Sequence, residues 1–442
     1  MSPIRTGLAL LAIALCAQAA TAAQPVLLIS IDGLRPVEWL DKAHHSDDLP
    51  TLQHLLREGA HATRVHGVLP TLTYPSHTTL LTGVEPARHG IVNNWPFDPV
   101  NKNQQGWTWY ASDIRVPTLW DAAHAAGMTT ANVHWPVSVD AKLDFNLPQI
   151  WRSGTPDDRK LLHALATPGL LDAMEADLGP YADGIDESVE ADENRARFAQ
   201  WLIERRHPRF MTAYFTAFDH AQHLSGPDAP EAHQVLARID AAVGRLVAAA
   251  RRDNPNVVIC VVSDHGFAPL SQQVNLWRVF IDAGLITLDE KKGVASWLAM
   301  PWYSGGSAAI ALADARNAEV RTRVANLLQS LRDDPANAIA NVLEGDAVAA
   351  RGGNPQAAFY VFFQPGTQMA PEPDAPLHGP AKYRGMHGFD PDNAAMDASF
   401  LIEGSGIPAH RDLGAIDMRD VAPTLAKVLG VDLREAQRKP LF

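Results

Sequence analysis

The sequence predicts an α/β fold with a mostly parallel central sheet that is covered by helices on both faces. Strand-like apolar runs alternate with helix-like runs along the chain, and this alternation is typical of parallel sheets. The 442 residues are 46% hydrophobic, which is enough to bury a large core. The length fits two or three domains, or equally one large α/β domain with an insertion.

The chain begins with the features of an export signal. Arg5 precedes an apolar run at 7–17, and small residues follow up to Ala23. This order predicts a signal peptide at 1–23 and a chain that is periplasmic or secreted after cleavage. An uncleaved membrane anchor is the alternative, but the apolar run is shorter than the ~20 residues that span a bilayer. We therefore expect no stable membrane insertion.

The elements that follow alternate between short runs rich in Val, Ile and Leu and longer amphipathic runs. We predict strands at 26–31, 210–216, 256–262 and 399–402, and helices at 52–59, 187–206, 231–252 and 417–429. The stretch at about 272–375 breaks the alternation with clusters of Gly, Pro and Asp. We predict that it is a cap inserted into a single domain at 24–442.

The composition excludes one class of partner. The chain has 37 Lys and Arg against 50 Asp and Glu, which gives a formal net charge of −13. Such an acidic body is a poor non-specific binder of nucleic acid, so we expect no nucleic-acid polymer as a partner. An anionic ligand would need local positive charge, and bound metal ions are one source. Cys260 is the only cysteine after the predicted signal, so no intrachain disulfide is possible.

Acidic residues follow three of the predicted strands at the carboxyl ends, where open α/β sheets build their sites. They are Asp32, Asp219 and Asp264. One such residue would be an ordinary turn residue, but three together favour a common site. His223 follows Asp219 by four residues, so both side chains would face the same way on a helix and could bind one cation.

Two further histidines extend this pattern. His265 directly follows Asp264 at the tip of a buried strand, and Gly266 after it permits a tight turn. His387 lies in a predicted loop and could equally be exposed to solvent. Neutral imidazole together with carboxylate suits zinc and related transition metals, whereas a site made of oxygens alone suggests calcium or magnesium. The residues therefore predict a metal site, with zinc as the first choice.

Hydroxyl side chains lie just ahead of another predicted helix, in the segment 69–83. Pro75 suits the first turn of this helix, and an anion there would meet free backbone N–H groups. Thr73 and Ser76 are therefore candidates for chemistry on an anionic group. The alternative is that both hydroxyls only cap the helix.

Taken together, these segments resemble the nucleotide pyrophosphatase/phosphodiesterase branch of the alkaline phosphatase superfamily. The resemblance spans nearly all of the chain after the signal. Its pieces are the segments 30–35, 70–75, 81–83, 89–94 and 263–266, the pair Asp219 and His223, and His387 with Gly388. It implies an alkaline-phosphatase-like core and two bound divalent metal ions, for which the ligand types favour zinc.

The resemblance also implies a role for each site residue. It assigns one metal ion to Asp32, Asp264 and His265 with the Thr73 oxygen beside it, and the other to Asp219, His223 and His387. Thr73 would attack phosphorus and become a phosphothreonine, while Asn94 and the backbone N–H of Tyr74 would stabilise the phosphoryl oxygen. The Tyr74 ring would either stack on a nucleobase or simply pack in the core. Trp135 and Trp151 are further candidates for a pocket wall.

The resemblance implies a phosphodiesterase or nucleotide pyrophosphatase that acts on a small-molecule phosphate ester. A phosphomonoesterase or phosphonate hydrolase of the same superfamily is the nearest alternative, since it would use similar ligands. Monoesterases often place Arg or Lys beside the phosphate, and the segment 69–83 contains neither, which favours a diester. An inactive metal-binding protein is the alternative from another class.

Overall fold

The computed structural model describes residues 23–41, 49–104 and 106–442. The signal peptide expected at 1–23 lies outside these residues except for Ala23, so it stays a prediction. Within the described ranges, we find no helix whose length and hydrophobicity would let it cross a membrane.

Helices of the described residues range from single turns to six turns in length. In chain order they are α1 (Val37–Leu40), α2 (Pro50–Glu58), α3 (Thr73–Thr82), α4 (Pro86–His89), α5 (Leu119–Ala125), α6 (Asp157–Leu165), α7 (Leu170–Leu178), α8 (Val189–Arg206), α9 (Ala217–Ser225), α10 (Pro230–Asp253), α11 (Leu276–Asp282), α12 (Ala318–Asp333), α13 (Gly345–Ala350) and α14 (Val421–Leu429). Short 3-10 helices lie at Ala111–Asp113, Pro335–Asn337, Ala394–Met396 and Met418–Asp420.

Strands occur throughout the described residues. In chain order they are β1 (Val26–Ile31), β2 (Ala60–His61), β3 (Arg64–His66), β4 (Thr130–Val133), β5 (Phe145–Leu147), β6 (Phe210–Phe215), β7 (Val258–Val262), β8 (Ala268–Val274), β9 (Ile286–Leu288), β10 (Val294–Trp297), β11 (Ala299–Tyr303), β12 (Ser307–Leu312), β13 (Ile339–Glu344), β14 (Ala357–Phe363), β15 (Gly366–Met369), β16 (His378–Pro380), β17 (Gly385–Met386), β18 (Phe400–Glu403), β19 (Arg411–Asp412) and β20 (Ala415–Asp417).

The central sheet has eight strands in the order β19-β2-β18-β7-β1-β6-β4-β5. The five strands from β7 to β5 run parallel, and β18 pairs with β7 in the antiparallel sense. Every residue of β1, β6 and β7 is buried, as expected of parallel strands with both faces covered. The predicted mostly parallel α/β sheet is therefore confirmed.

Helices cover both faces of this sheet, because alternate residues of β1 pack into different cores. Leu27 and Ile29 pack with buried residues of α8 and α10 on one face. Val26 and Leu28 pack on the other face with residues of α3, α5 and α14. The parallel strands thus bring their carboxyl ends to one edge of a rigid, doubly covered sheet, where side chains can be held in fixed positions.

A second, antiparallel sheet lies within the stretch that was predicted to be a cap. Its order is β11-β12-β14-β13, and it shares a separate hydrophobic core with α11 and α12. The tight connection of β11 to β12 contains no helix, whereas α12 and α13 follow β12 and β13 in the chain. That this stretch works as a cap over a site stays a prediction.

Two helices begin later than predicted, because a side chain caps the backbone at or before their first turn. The helix predicted at 187–206 begins at Val189, because the Ser188 hydroxyl accepts a hydrogen bond from the Ala191 N–H as the N-cap. The helix predicted at 417–429 begins only at Val421, because Asp417 caps a 3-10 turn that precedes it. Side-chain caps of this kind decide the ends of helices, while the apolar pattern decides that a helix exists.

Candidate active site

The first group of candidate ligands lies at the carboxyl ends of β1 and β7, which are neighbours in the sheet. Asp32 directly follows β1, and Asp264 and His265 lie just after β7; all three are buried. The His265 Nε2 atom is 3.4 Å from Asp32 Oδ1 and 3.1 Å from Asp264 Oδ2. The structure therefore brings together the residues that the resemblance assigns to one metal ion.

The second group centres on α9, which follows β6. His223 Nε2 is 3.3 Å from Asp219 Oδ2, as the spacing of four residues predicts for one helix face. His387 Nε2 is 3.7 Å from Asp219 Oδ1. The rings of His265 and His387 stack with centroids 3.7 Å apart, so the two groups are adjacent. The loop position of His387 is thus buried within the site and not exposed.

The orientation of the three imidazoles suits metal binding. The Nδ1 atom of each ring faces a backbone carbonyl at 3.0 or 3.1 Å: Gly385 for His223, Gly266 for His265 and Thr71 for His387. A ring that donates Nδ1–H to such a carbonyl has its Nε2 lone pair free for a cation, and protein zinc sites use this arrangement. All three Nε2 atoms point towards the carboxylates.

Buried carboxylate oxygens without hydrogen-bond partners also indicate that a cation could bind here. Among the described residues, Asp32 Oδ1, Asp219 Oδ1 and Asp264 Oδ2 are buried and have no hydrogen-bond partner. Buried polar atoms are normally paired, so these atoms call for an additional ligand. Two triplets have ligand atoms within 4.8 Å of one another. One is Asp219, His223 and His387, and the other is Asp32, Asp219 and His265.

The second triplet contains Asp219, whereas the resemblance assigns Asp264 to that metal ion. Asp264 Oδ2 is nevertheless 3.1 Å from His265 Nε2 and lacks a hydrogen bond, so Asp264 is an equally suitable ligand by contact and by burial. Its other oxygen, Oδ1, accepts the Gly33 N–H at 3.1 Å. That bond fixes the orientation of the carboxylate, with Oδ2 towards the imidazole.

The protonation of these groups depends on burial and on their neighbours. Burial raises the pKa of Asp264 to about 8, and burial together with repulsion from Asp264 raises the pKa of Asp32 well above its ordinary value. Burial lowers the pKa of His265 well below the ordinary value and that of His387 to about 4. The imidazoles of His265 and His387 are therefore neutral, which is the form that binds metals. Burial also acts to lower the pKa of His223, but the charge and the hydrogen bond of Asp219 raise it above its ordinary value. A cation would relieve the carboxylate repulsion.

Thr73 is the first residue of α3, and its Oγ1 is 3.4 Å from His265 Nε2. The N-cap residue is Leu72, and no side-chain hydrogen bond caps this helix. The alternative that Thr73 and Ser76 serve as helix caps is therefore wrong. The Thr73 hydroxyl lies at the positive end of a ten-residue helix and beside the candidate ligands. Pro75 lies in the first turn, as expected.

Asn94 contacts α3 in a way that differs from the expected one. Its Oδ1 accepts a hydrogen bond from the Tyr74 N–H at 2.9 Å, so this N–H is already paired and is not free for a phosphoryl oxygen. The Nδ2 amino group of Asn94 is left as the donor that could meet such an oxygen. The adjacent Asn93 donates from Nδ2 to the Tyr303 carbonyl and to Ser304 Oγ, both at 3.0 Å.

Two of the aromatic candidates line a cavity, and the third is buried in the hydrophobic core. Tyr74 and Trp151 line a cavity of about 450 Å³ that also contains Thr73. Tyr74 is nonetheless fully buried, its hydroxyl donates to Gln149 Oε1 at 2.8 Å, and its ring lies 5.2 Å from that of Trp107. Trp135 is not part of the wall, because it is buried edge-on against His77 with ring centroids 4.9 Å apart.

Two residues of the site were not found by sequence reasoning. The Tyr214 hydroxyl donates a short hydrogen bond to Asp32 Oδ2. His77 has Nδ1 2.8 Å from the Thr73 carbonyl and Nε2 2.9 Å from Ser30 Oγ, and burial lowers its pKa to about 3. Tyr214 therefore orients the Asp32 carboxylate, and His77 contacts the backbone of Thr73. The register of β1 against β6, which pairs Ser30 with Tyr214, is the signal that could have identified the tyrosine.

Glycines permit two close approaches at the site. A Cβ atom at Gly266 would lie 2.1 Å from the Ala395 carbonyl oxygen. Gly388, next to His387, has φ +80°, and a Cβ there would lie 2.0 Å from the Ser304 carbonyl oxygen. At Gly266 the glycine is thus required by packing, and at Gly388 it is required both by packing and by the left-handed backbone.

Comparisons with known proteins identify relatives of this chain. A family described as type I phosphodiesterase/nucleotide pyrophosphatase matches residues 26–390. An uncharacterized pyrophosphatase/phosphodiesterase of Schizosaccharomyces pombe is 28% identical over 260 residues, which cover 57% of this chain and 46% of that protein. A bis(5'-adenosyl)-triphosphatase of Pongo abelii is 28% identical over 281 residues, which cover 62% of this chain and 54% of that protein. The chain thus spans about half the length of these curated relatives.

A solved structure also has the same fold. Murine ectonucleotide pyrophosphatase/phosphodiesterase 5, an inactive variant in complex with AMP, superposes with a TM-score of 0.66 and 21% identity, over 93% of this chain and 96% of that one. This similarity confirms the alkaline-phosphatase-like fold. Because the family match covers most of the chain, the protein belongs to the type I phosphodiesterase/nucleotide pyrophosphatase family.

Proposed function

We propose that the protein is a two-metal hydrolase of phosphodiester or pyrophosphate bonds that uses zinc and forms a phosphothreonine on Thr73. One observation supports this most directly. The Thr73 hydroxyl lies beside two adjacent groups of Asp and His side chains whose buried oxygens lack partners and whose imidazole Nε2 atoms point inward. A Ser-His-Asp arrangement is not needed, because metal ions can replace the general base.

The ligand assignment follows the contacts. Asp32, Asp264 and His265 would hold one ion next to Thr73, and Asp219, His223 and His387 would hold the other. Bound zinc ions would lower the pKa of the hydroxyl and neutralise the charge that develops on the phosphoryl group. Mixed imidazole and carboxylate donors support zinc over calcium or magnesium.

The remaining chemistry belongs to residues of the chain. The Thr73 oxygen forms the bond to phosphorus while the opposite ester or anhydride oxygen leaves, which gives a phosphothreonine. Water then cleaves this ester, so that a phosphate monoester and free Thr73 are released. The Nδ2 group of Asn94 and the amino terminus of α3 would stabilise the phosphoryl oxygens during both steps.

The charge of the cavity wall favours a diester or anhydride over a monoester. Among the described residues that line the cavity, Lys382 is the only lysine or arginine, and its Nζ already contacts Glu372 Oε1 at 2.5 Å. A monoester has a second negative charge that usually requires a dedicated cation. The AMP in the murine structure and the name of the Pongo abelii relative support a nucleotide as the substrate.

We also propose that the chain is exported to the periplasm or secreted, on the basis of the predicted signal peptide at 1–23. The antiparallel stretch at about 272–375 would act as a cap, since Tyr303 and Gln368 within it line the same cavity as Thr73. Specificity for the leaving group would then depend on this stretch.

The test compares hydrolysis of a nitrophenyl phosphate monoester with hydrolysis of a nucleotide diester. Each is measured with zinc, after chelation, and in Thr73→Ala. We expect a preference for the diester that chelation and Thr73→Ala both abolish. A preference for the monoester would instead support a phosphatase, and the absence of activity on both would support an inactive metal-binding protein.

A further inference from the structure

An ion pair in α8 is completely enclosed by the protein. The side chains of Asp192 and Arg195 are 1% and 0% exposed, and Asp192 Oδ1 lies 2.8 Å from Arg195 Nη1. Replacing such a pair by apolar side chains of similar volume often leaves a protein equally or more stable, because two charges no longer have to be desolvated. Stability alone therefore does not explain this pair, and its other contacts are informative.

The carboxylate of Asp192 holds the beginning of α9. Its Oδ2 accepts a hydrogen bond at 2.7 Å from the N–H of Ala217, the first residue of α9. The N-cap residue Thr216 makes no side-chain cap hydrogen bond. A helix is usually capped by its own N-cap side chain, whereas this N–H is bound by a carboxylate from another helix. The position of α9 therefore depends on α8.

The guanidinium of Arg195 adds contacts on the same side. Its Nη1 is 3.1 Å from Thr216 Oγ1, and its Nη2 donates to the carbonyls of Asp183 at 3.1 Å and Asp186 at 2.5 Å. The next residue, Glu187, lines the cavity that contains Thr73. Arg195 thus connects the beginning of α9 with a segment that leads into the cavity wall.

These contacts affect one group of candidate metal ligands and not the other. Asp219 and His223 lie on α9, and together with His387 they are the proposed ligands of the second ion. The proposed ligands of the first ion, in contrast, follow β1 and β7. Residues that orient metal ligands contribute strongly to affinity, since small displacements weaken coordination. A displacement of α9 would therefore weaken the second ion selectively.

We propose that Asp192 and Arg195 are positioning residues for the second ion. They hold the beginning of α9 in place, so that Asp219 and His223 converge with His387 on one cation, and they contribute little to the stability of the fold. This inference rests on the proposed two-metal function, but it concerns only how the ligands of one ion are held.

The test removes both charges together in the full chain, as Asp192→Leu with Arg195→Met. Zinc is titrated in competition with a chelator, and the binding step that His223→Ala removes identifies the second ion. We expect the Kd of the second ion to rise about 10- to 100-fold in the double variant, while the Kd of the first ion stays unchanged. The midpoint of urea unfolding of the metal-free chain should stay the same or rise.

A rescue variant and a control variant complete the design. Asp192→Asn with Arg195→Met restores an oxygen that can accept the Ala217 N–H, so it should recover most of the affinity for the second ion. Glu193→Gln with Arg238→Gln removes an ion pair between α8 and α10 with a distance of 2.8 Å. In the part of the chain that the structure describes, neither of these two side chains hydrogen-bonds to α9. This control should leave both ions unchanged.

Three results would overturn the proposal. They are an unchanged Kd of the second ion in Asp192→Leu with Arg195→Met, an equal loss of affinity in the control, and a fall in the urea midpoint with loss of both ions. The last result would indicate a purely structural role. Because the titration needs no turnover, a wild type that binds both ions but hydrolyses no ester would refute only the proposed hydrolase function.

Discussion

Replacement of Gly388 by alanine should destabilise the protein through two separable effects. Gly388 has φ +80°, and an L-residue in the left-handed region costs about 1–2 kcal/mol. The new Cβ would also lie 2.0 Å from the Ser304 carbonyl oxygen, and relieving such overpacking costs a further ~1–3 kcal/mol. The free energy of unfolding should therefore fall by about 2–5 kcal/mol.

Gly406 offers a matched control for this prediction. It has φ +81°, and a Cβ built on it meets nothing within 4 Å, so Gly406→Ala should lose only the backbone contribution of about 1–2 kcal/mol. Both variants change the unfolded chain in the same way. The assay is urea unfolding followed by tryptophan fluorescence, together with zinc content. Equal losses of unfolding free energy in the two variants would refute the steric argument. Because Gly388 is next to His387, a proposed zinc ligand, Gly388→Ala should also lower the zinc content, whereas Gly406→Ala should not.

The remaining predictions concern charge and protonation. Asn94→Ala should lower kcat about 100- to 1,000-fold in steady-state assays on a nucleotide diester, since a donor to the phosphoryl oxygen is lost. Tyr214→Phe removes the hydrogen bond to Asp32 and should weaken zinc binding about 10- to 100-fold in a competition titration with a chelator. Burial lowers the pKa of His89 from 6.5 to about 3, so the unfolded chain binds a proton that the folded one excludes. Stability should therefore fall as the pH drops from 6.5 towards 3, and His89→Gln should flatten this slope in denaturant titrations.

The sheet and the clustering of the candidate ligands could be predicted because each depends on local sequence. The apolar run of β1 is buried on both faces, so its residues are uniformly hydrophobic, and Asp32 marks the point where the run ends. The pair Asp219 and His223 depends only on helical spacing. These signals lie within a few residues, and therefore a single sequence is enough to find them.

Other parts of the site depend on contacts between distant segments. Tyr214 reaches Asp32 only because β6 pairs with β1 in one register, and an apolar pattern does not specify that register. Likewise, the pairing of the Tyr74 N–H with Asn94 Oδ1 results from the packing of a loop against α3. A second cavity, of about 430 Å³, is lined by residues from segments near 97, 277 and 302, and their proximity has no signature in the sequence.

The adjacent amides of Asn93 and Asn94 have a consequence for the design of chimeric proteins. Asn94 contacts α3, and Asn93 contacts the end of β11. The Gly306 N–H, between β11 and β12, donates to the His387 carbonyl at 2.9 Å. The antiparallel sheet therefore contacts the candidate site on two sides, through Asn93 and through His387. Grafting residues 299–363 from a relative, in order to change specificity, would have to transfer these contacts as well. A mismatch there would shift the proposed nucleophile and a proposed metal ligand together.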